Sequence, residues 1–337
     1  MLNITDNYPM KNVTTLQIGG PAKKFVSVSS EEELIEAIQN AKQNNLDYLI
    51  IGGGSNLLVN DNGIDSLVIK NEIGGITTSK VGFLVPSEGK SDFPEVEGDS
   101  FEVRVKSGTI LQNLVDYTIQ HGLSGLQKLT GIPGTVGGAV YGNAGAYGQT
   151  ISDNILSVVV LSERSESKDL SRMRVTLSKN DCNFNYRDSG FKRNHFIILE
   201  VTFQLEIVDP EILAKEAEDV LSKRLVKYPK GIKCPGSFFK NIIADTLPKE
   251  ILQKIPKDKI TYGKISAGYL LETVGAQGQI LDGIEIAPYH ANLFINNGGG
   301  TAKAFYDLAQ KYAQKVKEKF GITLEPEVQL INLPPIT

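Results

Sequence analysis

The first amphipathic stretch of the chain is SSEEELIEAIQNAKQNN, residues 29–45. Ser30 and Glu33 have the spacing of a capping box at the start of a helix. The apolar residues that follow recur at helical spacing: Leu34, Ile35, Ile38 and Ala41. Two buried-strand patterns follow, DYLIIGG and GIDSLVIKN. Residues 18–70 are therefore predicted to form a strand, helix, strand, loop, strand unit with the character of an α/β sandwich.

A second amphipathic helix is predicted in GTILQNLVDYTIQHGL, with Thr109 and Gln112 as its capping box and Gly122 as its stop. Its predicted buried face is Leu111, Leu114, Val115 and Ile119. Strand patterns lie before and after it, in VGFLV, FEVRVKSG, ILSVVVLS and NHFIILEVTFQLEIV. The polar stretch PSEGKSDFPEVEGD is interpreted as a solvated excursion between two hairpin strands.

The last third of the chain has a mixed α+β pattern. A helix is predicted in DPEILAKEAEDVLSKRLVK, with Asp209 as cap and Pro210 in the first turn, so a domain boundary is expected near residue 207. Further patterns predict a short helix in SAGYLLETVG, a strand in NLFINN, a helix over 301–320 and a strand in ITLEPEVQLI. The long helix is expected to bury Phe305, Leu308, Tyr312, Val316 and Phe320.

Length and composition narrow the class of protein. A chain of 337 residues suits two or three domains. With 41% hydrophobic residues, 22% charged residues and a net charge of -4, it is typical of soluble globular proteins and gives no indication of nucleic-acid binding. Cys182 and Cys234 have no metal-ligand spacing and are expected to be free thiols, so no metal is predicted. No membrane span or leader pattern is found, which predicts a cytoplasmic location.

Two glycine-rich runs carry the strongest chemical signal. In IIGGGSNLLV, Gly52 and Gly54 fit the first two places of a dinucleotide-binding motif, but Leu57 occupies the third, which weakens a Rossmann interpretation. The second run, TGIPGTVGGAVYGNAGAYGQTISD, is too rich in glycine for a helix or regular strand to be expected. Loop-rich connections without a ligand are the alternative. The pair favours a pyrophosphate on the backbone of Gly52–Asn56 and a ring system against the second run.

Eight stretches in order resemble the UDP-N-acetylenolpyruvoylglucosamine reductase family, and they span nearly the whole chain. They are NVTTLQIGGPA, IIGGGSNLLV, GLSGLQKLTGIPGTVGGAVYGNAGAYGQTISD, NYRDSGFK, GSFFKN, AGYLLE, HANLFINNGGGTA and LEPEV. The resemblance implies an FAD enzyme of the vanillyl-alcohol-oxidase-like flavin fold with a separate C-terminal α+β domain for the UDP-sugar. The implied domains are two FAD-binding subdomains, 1–70 and 71–207, and a substrate-binding domain, 208–337.

The implied reaction is reduction of UDP-N-acetylglucosamine enolpyruvate to UDP-N-acetylmuramate by NADPH, through FAD, for peptidoglycan synthesis. NADPH is expected to bind transiently in the same cleft as the sugar nucleotide. The chain is expected to be a monomer or a weak oligomer. The expected FAD-binding residues come from the two glycine runs: Ile51, Gly52, Gly53, Gly54, Ser55, Asn56, Gly131, Ile132, Pro133, Gly134, Gly137, Gly138, Ala139, Asn143, Gly145 and Ala146.

The catalytic residues implied by the resemblance are Arg187, Ser237 and Glu327. Hydride addition to the enolpyruvyl group pushes charge onto the substrate carboxylate, which a fixed cation such as Arg187 can hold. Glu327 would help to hold that carboxylate, and Ser237 would protonate the carbanion. Without the family motif, a surface ion pair is the preferred interpretation of Arg187 and a turn serine that of Ser237. Glu325 and Glu327, two apart on the predicted strand, would share a face unless Pro326 twists it.

Substrate-binding residues are carried over less directly. Asn241 aligns with an amide that meets the UDP-sugar, and Lys227 with a lysine that neutralises its diphosphate. Tyr186 and Lys192, near Arg187, are further candidates, whereas His290 is interpreted as a structural histidine.

Two departures from the family pattern, Ile242 after FFKN and the long 71–103 stretch, leave the implied catalytic residues in place.

Two alternative functions remain open from the sequence. Another oxidase or dehydrogenase of the same flavin fold would keep the glycine runs but lack GSFFKN and the PEV segment. A flavin- or nucleotide-binding module without catalysis would oxidise no NADPH.

Overall fold

The computed structural model describes residues 2–85, 95–162 and 174–336. Its α-helices are α1 Glu31–Gln43, α2 Leu111–Gln120, α3 Val136–Gly142, α4 Pro210–Lys227, α5 Lys249–Leu252, α6 Ala267–Thr273 and α7 Ala302–Phe320. Short 3₁₀ turns connect several of the elements. Among the described residues, no helix is long and apolar enough to span a membrane.

The β-strands are mostly short. Those of the first half are β1 Thr5–Pro9, β2 Pro21–Val28, β3 Tyr48–Ile51, β4 Leu57–Val59, β5 Ile64–Asn71, β6 Ile76–Val85, β7 Glu95–Lys106, β8 Leu123–Ser124, β9 Gly145–Ala146 and β10 Gln149–Thr150. Those of the second half are β11 Ile155–Ser162, β12 Arg174–Ser178, β13 Phe196–Ile207, β14 Ile242–Ile243, β15 Ile260–Thr261, β16 Lys264–Ile265, β17 Ile280–Leu281, β18 Ile284–Ile286, β19 Phe294–Asn296 and β20 Gln329–Ile331.

The strands assemble into several small sheets and one large one. The six-stranded sheet has the order β12-β11-β13-β7-β6, with β8 pairing β13. A four-stranded sheet has the order β1-β2-β5-β3, and two three-stranded sheets have the orders β14-β16-β15 and β17-β18-β19. Strand β9 pairs β10, and β4 pairs β20 in parallel. Long hydrophobic strands and amphipathic helices thus give a mixed α and β architecture, as predicted.

The chain forms two compact units. The first contains Met1–Asn3, Val26–Gly53 and Ile69–Arg224, and the second contains Ile4–Phe25, Gly54–Val68 and Leu225–Thr337. The chain therefore passes from one unit to the other within β2, within the glycine run at Gly53–Gly54, within β5 and near the end of α4. The three-part division at residues 70 and 207 stays a prediction.

The core of the first unit lies on the six-stranded sheet. Strands β11, β13 and β7 are antiparallel neighbours, with Val158 opposite Val201 and Val201 opposite Val105. These three side chains are fully buried, together with Leu111 and Leu114 of α2. Because alternate residues of a strand face the same side, this register gives the sheet one continuous apolar face for the helix to cover.

The core of the second unit is built on α7 and a group of aromatic rings. Thr301 caps α7, and its hydroxyl accepts a hydrogen bond from the Ala304 N–H. All five predicted core positions of α7 are buried, which confirms the helix and its inward face. The rings of Phe238, Phe294 and Phe305 lie 5.0–5.4 Å apart between centroids. This cluster joins the GSFFKN segment to the middle of the unit.

The capping box of α1 forms in a modified way. The Ser30 hydroxyl accepts from the Glu33 N–H at 3.2 Å, as predicted. The Glu33 carboxylate, however, accepts from the N–H and hydroxyl of Ser29, at 2.7 and 3.0 Å. These hydrogen bonds favour the ionised carboxylate and lower the pKa of Glu33.

The capping box predicted for α2 is wrong. The helix begins after Ile110, which has no side-chain cap. The Thr109 hydroxyl instead accepts from the Gly75 N–H at 3.1 Å, and the Gln112 side-chain amide oxygen accepts from the Gly131 N–H at 2.7 Å. Both side chains therefore make tertiary hydrogen bonds, which the local pattern could not reveal.

The expectation that the second glycine run contains no helix is also wrong, because α3 covers Val136–Gly142. Thr135 caps it, and the Thr135 hydroxyl accepts from the Gly138 N–H at 3.3 Å. A Cβ on Gly137 would lie 2.9 Å from the Cβ of Ser107. Glycine is required there by the close approach of another segment and not by an irregular backbone.

The stretch PSEGKSDFPEVEGD lies largely outside the described residues, since 86–94 are not among them. Strands β6 and β7 pair antiparallel, which confirms the predicted hairpin, but β7 begins at Glu95, so the last five residues of the predicted excursion are strand. The C-terminal strand is shorter than predicted, because β20 covers only Gln329–Ile331, and Pro326 before it forms an isolated bridge with Phe239.

Candidate active site

The two glycine-rich runs meet in the first unit. A Cβ on Gly52 would lie 2.2 Å from the Thr135 hydroxyl oxygen, and one on Gly53 would lie 2.9 Å from the Cα of Gly134. Such distances leave no room for a side chain. The end of β3 and the start of the second run therefore touch backbone to backbone, as two segments that face one ligand would.

The residues after Gly53 belong to the second unit. Gly54 has φ +62, and a Cβ there would lie 1.8 Å from the Val13 carbonyl oxygen. The Asn56 amide donates to the Glu327 carbonyl at 3.0 Å, and the Asn56 carbonyl accepts from the Gln329 N–H at 3.0 Å. Asn56, predicted to bind the cofactor, thus also fixes the segment that carries Glu327.

Two features of the second run fit a flat, hydrogen-bonding group such as a flavin. Gly138 is exposed on α3. A Cβ added to it would come no closer than 3.5 Å to another group, the Thr135 hydroxyl oxygen. Asn143 is 5% exposed and lies in the left-handed region, with φ +45. Its amide nitrogen donates to the Asn185 carbonyl at 2.8 Å, whereas its buried amide oxygen has no hydrogen-bond partner within residues 2–85, 95–162 and 174–336. A buried acceptor of this kind favours a ligand N–H or O–H.

Arg187 is held on a tight turn in the first unit. Asn185 and Asp188 exchange backbone hydrogen bonds of 2.9 and 3.1 Å, and Arg187 lies between them with φ +52. Its guanidinium donates to the Gly145 carbonyl at 2.6 Å and to the Asn143 carbonyl at 3.5 Å. The predicted catalytic cation is therefore directed to the glycine-rich segment 143–145.

The side chains around Arg187 support this turn. Its guanidinium carbon lies 5.6 Å from the centroid of the Tyr186 ring, and the Lys192 ammonium donates to the Arg187 carbonyl at 2.7 Å. Asp188 forms an ion pair with Arg193. Lys192 thus fixes the backbone of the turn, and the Tyr186 ring lies against the guanidinium, while the substrate-binding role of Tyr186 stays a prediction.

Ser237 lies in the second unit, where backbone hydrogen bonding to the segment 292–293 holds it and the residue after it. It forms an isolated antiparallel bridge with Leu293, and the next residue donates its N–H to the Asn292 carbonyl at 2.9 Å. The two phenylalanines after it are at most 1% exposed and belong to the core. They anchor the serine segment in the aromatic core of the unit.

Sequence reasoning missed Tyr228. Its hydroxyl lies 3.0 Å from the Ser237 hydroxyl, and either oxygen can be the donor. Tyr228 stands nine residues before the serine. Its only signal in the sequence is its position in the segment KYP, directly after the predicted substrate-binding residue Lys227.

Glu327 is a backbone neighbour of the Ser237 segment. Its N–H donates to the Phe238 carbonyl at 2.7 Å, and its carbonyl accepts from Asn56. Neither Glu325 nor Glu327 lies in β20, but Pro326 between them forms an isolated antiparallel bridge with Phe239, so a shared face for the two carboxylates stays a prediction. Glu325 is exposed and forms an ion pair with Lys240. The second unit therefore brings Ser237, Glu327 and Asn56 together, and Arg187 belongs to the first unit.

The predicted substrate-binding residues differ in their surroundings. The Asn241 amide oxygen accepts from the Ala267 N–H at 3.2 Å, at the start of α6. Lys227, the last residue of α4, is exposed. Burial, and then the nearby charge of Lys227, lowers the pKa of His290 to about 4. His290 is therefore a neutral imidazole at pH 7, as expected of a structural histidine.

The remaining titratable groups include two buried thiols. Cys182 and Cys234 are both free, as predicted. Burial raises the pKa of the Cys182 thiol to about 12, and it also raises that of Cys234. Such thiols are poor nucleophiles at neutral pH. Within the described part of the chain, no group of three His, Cys, Asp or Glu side chains is arranged to hold a metal ion.

Two family models match the chain. An FAD binding domain matches residues 22–171, and the C-terminal domain of UDP-N-acetylenolpyruvoylglucosamine reductase matches residues 228–331. The first match includes both glycine runs, and the second includes Ser237 and Glu327. The FAD-binding and C-terminal parts of the predicted fold class are thereby confirmed.

Whole-chain relatives agree with both matches. The UDP-N-acetylenolpyruvoylglucosamine reductase of Solibacter usitatus is 35% identical over 332 residues, which is 98% of this chain and 97% of that protein. That of Desulforamulus reducens is 32% identical over 98% of this chain and 94% of that protein. The crystal structure of the Thermus caldophilus reductase aligns with a TM-score of 0.69 and 26% identity, covering 98% of this chain and 99% of that one. The chain belongs to the UDP-N-acetylenolpyruvoylglucosamine reductase family and is an FAD-dependent oxidoreductase.

Proposed function

We propose roles for individual residues in the reductase reaction of this family. The reaction reduces UDP-N-acetylglucosamine enolpyruvate to UDP-N-acetylmuramate with NADPH and supplies a peptidoglycan precursor. When bound, FAD accepts a hydride from NADPH and passes it to the enolpyruvyl group. The chain's own residues must bind both anionic ligands, stabilise the charge that develops on the substrate and deliver one proton.

The cofactor is assigned to the two glycine runs, Ile51–Asn56 and 131–146. The close approach of Gly53 to Gly134, both in the first unit, supports this assignment, since it brings the end of β3 against the second run. The buried Asn143 amide oxygen supports it further, because a cofactor N–H or O–H would satisfy that acceptor.

Arg187 and Glu327 are assigned to the substrate carboxylate. Hydride addition at the terminal carbon places an enolate-like charge on that carboxylate, and a planar guanidinium can hold it with two hydrogen bonds. Carbonyl contacts fix the guanidinium of Arg187 in advance, which limits the entropy lost on binding. Glu327, in its protonated form, would donate to the same carboxylate.

Ser237 is assigned as the proton donor to C2 of the enolate. A serine hydroxyl is a weak acid, so it can act only on a strongly basic carbon held close to it. The observation that carries this assignment is the 2.7 Å hydrogen bond from the Glu327 N–H to the Phe238 carbonyl. It keeps the backbones of the two proposed substrate-facing residues together.

The UDP-sugar is assigned to the second unit, with Lys227 for the diphosphate and Asn241 for the sugar nucleotide. Tyr186, beside Arg187, is a third contact. NADPH is proposed to use the same cleft in a separate half-reaction. We further propose that the protein works in the cytoplasm as a monomer or weak oligomer, and that it divides functionally at residues 70 and 207.

The assignment is tested by separating the two half-reactions of Ser237→Ala under anaerobic conditions. Flavin reduction by NADPH should keep the wild-type rate, whereas reoxidation by the enolpyruvyl substrate should slow by about 10²- to 10⁴-fold, the usual contribution of a general acid. Stopped-flow absorbance of the flavin measures both steps. Ser27→Ala, at an exposed position of β2, is the control. If both half-reactions stay fast, Ser237 is not the acid.

A further inference from the structure

Tyr228 and Ser237 share a hydrogen bond that the proposed mechanism does not yet use. The two hydroxyl oxygens are 3.0 Å apart. The Tyr228 ring packs against the buried group of Cys234, Ala287 and Leu293. Leu293 is also the backbone partner of Ser237. The same small cluster therefore supports both members of the pair, which fixes the direction from which the phenol meets the serine.

We propose that Tyr228 is a positioning residue for Ser237, which orients its hydroxyl and returns a proton to it after each turnover. This inference rests on the proposed function of Ser237 as the acid. Tyr228 acts through the serine and is not proposed to contact the substrate.

The proton balance is simple. The bond between C2 of the enolate and the former serine proton forms while the Ser237 O–H bond breaks, which leaves an alkoxide. The Tyr228 O–H bond then breaks, and its proton passes along the existing hydrogen bond to the serine oxygen. Water protonates the phenolate. No electrons move beyond the hydride already delivered, and the phenol, with a typical pKa of about 10, is a much stronger acid than an alkyl hydroxyl.

Two observations favour Tyr228 over other groups in this role. Tyr228 is only partly buried, and its hydrogen bond to Ser237 is part-buried, so the pair is not sealed inside the core. His290 lies three residues before Leu293, the backbone partner of Ser237. It is neutral at pH 7 because burial lowers its pKa to about 4. A neutral imidazole at pH 7 is not an effective proton source, whereas a phenol carries its proton at that pH.

Tyr228→Phe is the direct test, because it keeps the ring that packs on the cluster and removes only the hydroxyl. Flavin reduction by NADPH should stay within about twofold of wild type, and reoxidation by the enolpyruvyl substrate should slow by about tenfold or more, the value of one catalytic hydrogen bond. The solvent deuterium isotope effect on reoxidation should rise, since proton delivery then limits the rate. Tyr306→Phe, which removes a surface hydroxyl bonded to Pro335, is the matched control.

A double variant separates this inference from the proposed function. In Ser237→Ala/Tyr228→Phe, reoxidation should be no slower than in Ser237→Ala alone, because the phenol acts only through the serine. A normal rate in Tyr228→Phe beside a collapse in Ser237→Ala would overturn the role of Tyr228 and leave that of Ser237. A normal rate in Ser237→Ala would overturn both.

A fluorinated tyrosine placed at position 228 covers the case in which the phenylalanine variant folds poorly. It retains both ring and hydroxyl, so circular dichroism and flavin content should match wild type. Reoxidation should approach the wild-type rate and keep a low isotope effect, because the hydroxyl is restored. A slow reoxidation in this well-folded protein would contradict the proposal.

Discussion

Ser237 and Arg187 are held by different means. The serine sits on a backbone that is bridged to Leu293 and followed by two core phenylalanines, and its side chain contributes one hydrogen bond, to Tyr228. The arginine sits on a two-residue turn with a positive φ, and its own guanidinium donates to carbonyls of the second glycine run. In the second unit the backbone supplies the position, whereas in the first unit the functional side chain helps to position itself.

The difference predicts separable consequences of mutation. Replacing the Ser237 side chain should remove the proposed proton donor and leave the local backbone unchanged. Replacing Arg187 should remove a charge and also two contacts that link the turn to Asn143 and Gly145. Backbone-anchored residues therefore allow cleaner tests of catalytic role than residues whose functional group is also structural.

The largest effect on stability is expected from a substitution in the aromatic cluster that anchors the Ser237 segment. Phe238 is fully buried and contacts the rings of Phe239, Phe294 and Phe305. Phe238→Ala should lower the free energy of unfolding by about 3–5 kcal/mol, through lost burial and the cavity left behind. Urea denaturation measures the change.

Tyr262→Ala is the control for that experiment, because its side chain is 96% exposed. Its effect on stability should be within about 0.5 kcal/mol. Equal effects of the two substitutions would show that the aromatic cluster does not anchor the serine segment.

A smaller effect, on the rate of one half-reaction, is expected from Arg187→Lys. This change keeps the positive charge and removes the planar guanidinium that can form two hydrogen bonds to a carboxylate. Substrate-dependent flavin reoxidation should slow by about 100-fold, as when one charge-stabilising donor is lost, and reduction by NADPH should be unaffected. Stopped-flow spectroscopy of the two half-reactions provides the measurement. Arg193→Lys, which alters the neighbouring ion pair with Asp188, should leave both rates nearly unchanged. A full rate with lysine at 187 would mean that charge alone suffices.

The smallest expected effect concerns the backbone of the first unit. Gly53→Ala would place a Cβ 2.9 Å from the Cα of Gly134, so the two runs must separate, at about 1–3 kcal/mol. Less FAD should be retained after gel filtration, which flavin absorbance measures. Gly142→Ala, where an ideal Cβ meets nothing within 4 Å, should bind FAD normally. Equal FAD content in both variants would argue against the contact of the two runs as part of the cofactor site.

The sequence predicted those elements whose signals are local. Periodic apolar residues predicted α1, α2 and α7, the start signal of Asp209 and Pro210 predicted α4, and apolar strand patterns predicted β11 and β13. The Thr301 and Ser30 caps formed because each needs only a neighbour three residues away. The Thr109 cap did not form, since a tertiary partner, Gly75, binds the same hydroxyl. Local rules fail where distant groups compete for the same atom.

The site shows the same division. The sequence alone determined which residues are candidates for catalysis and cofactor binding, because motifs such as GSFFKN and the two glycine runs are contiguous in the chain. Only the tertiary structure could decide that α3 forms inside a glycine run, that Asn56 fixes the Glu327 segment and that Tyr228 meets Ser237. Such contacts join segments that are distant in the chain or separated by an irregular loop. They depend on how the core packs, and no periodicity in the sequence encodes that packing.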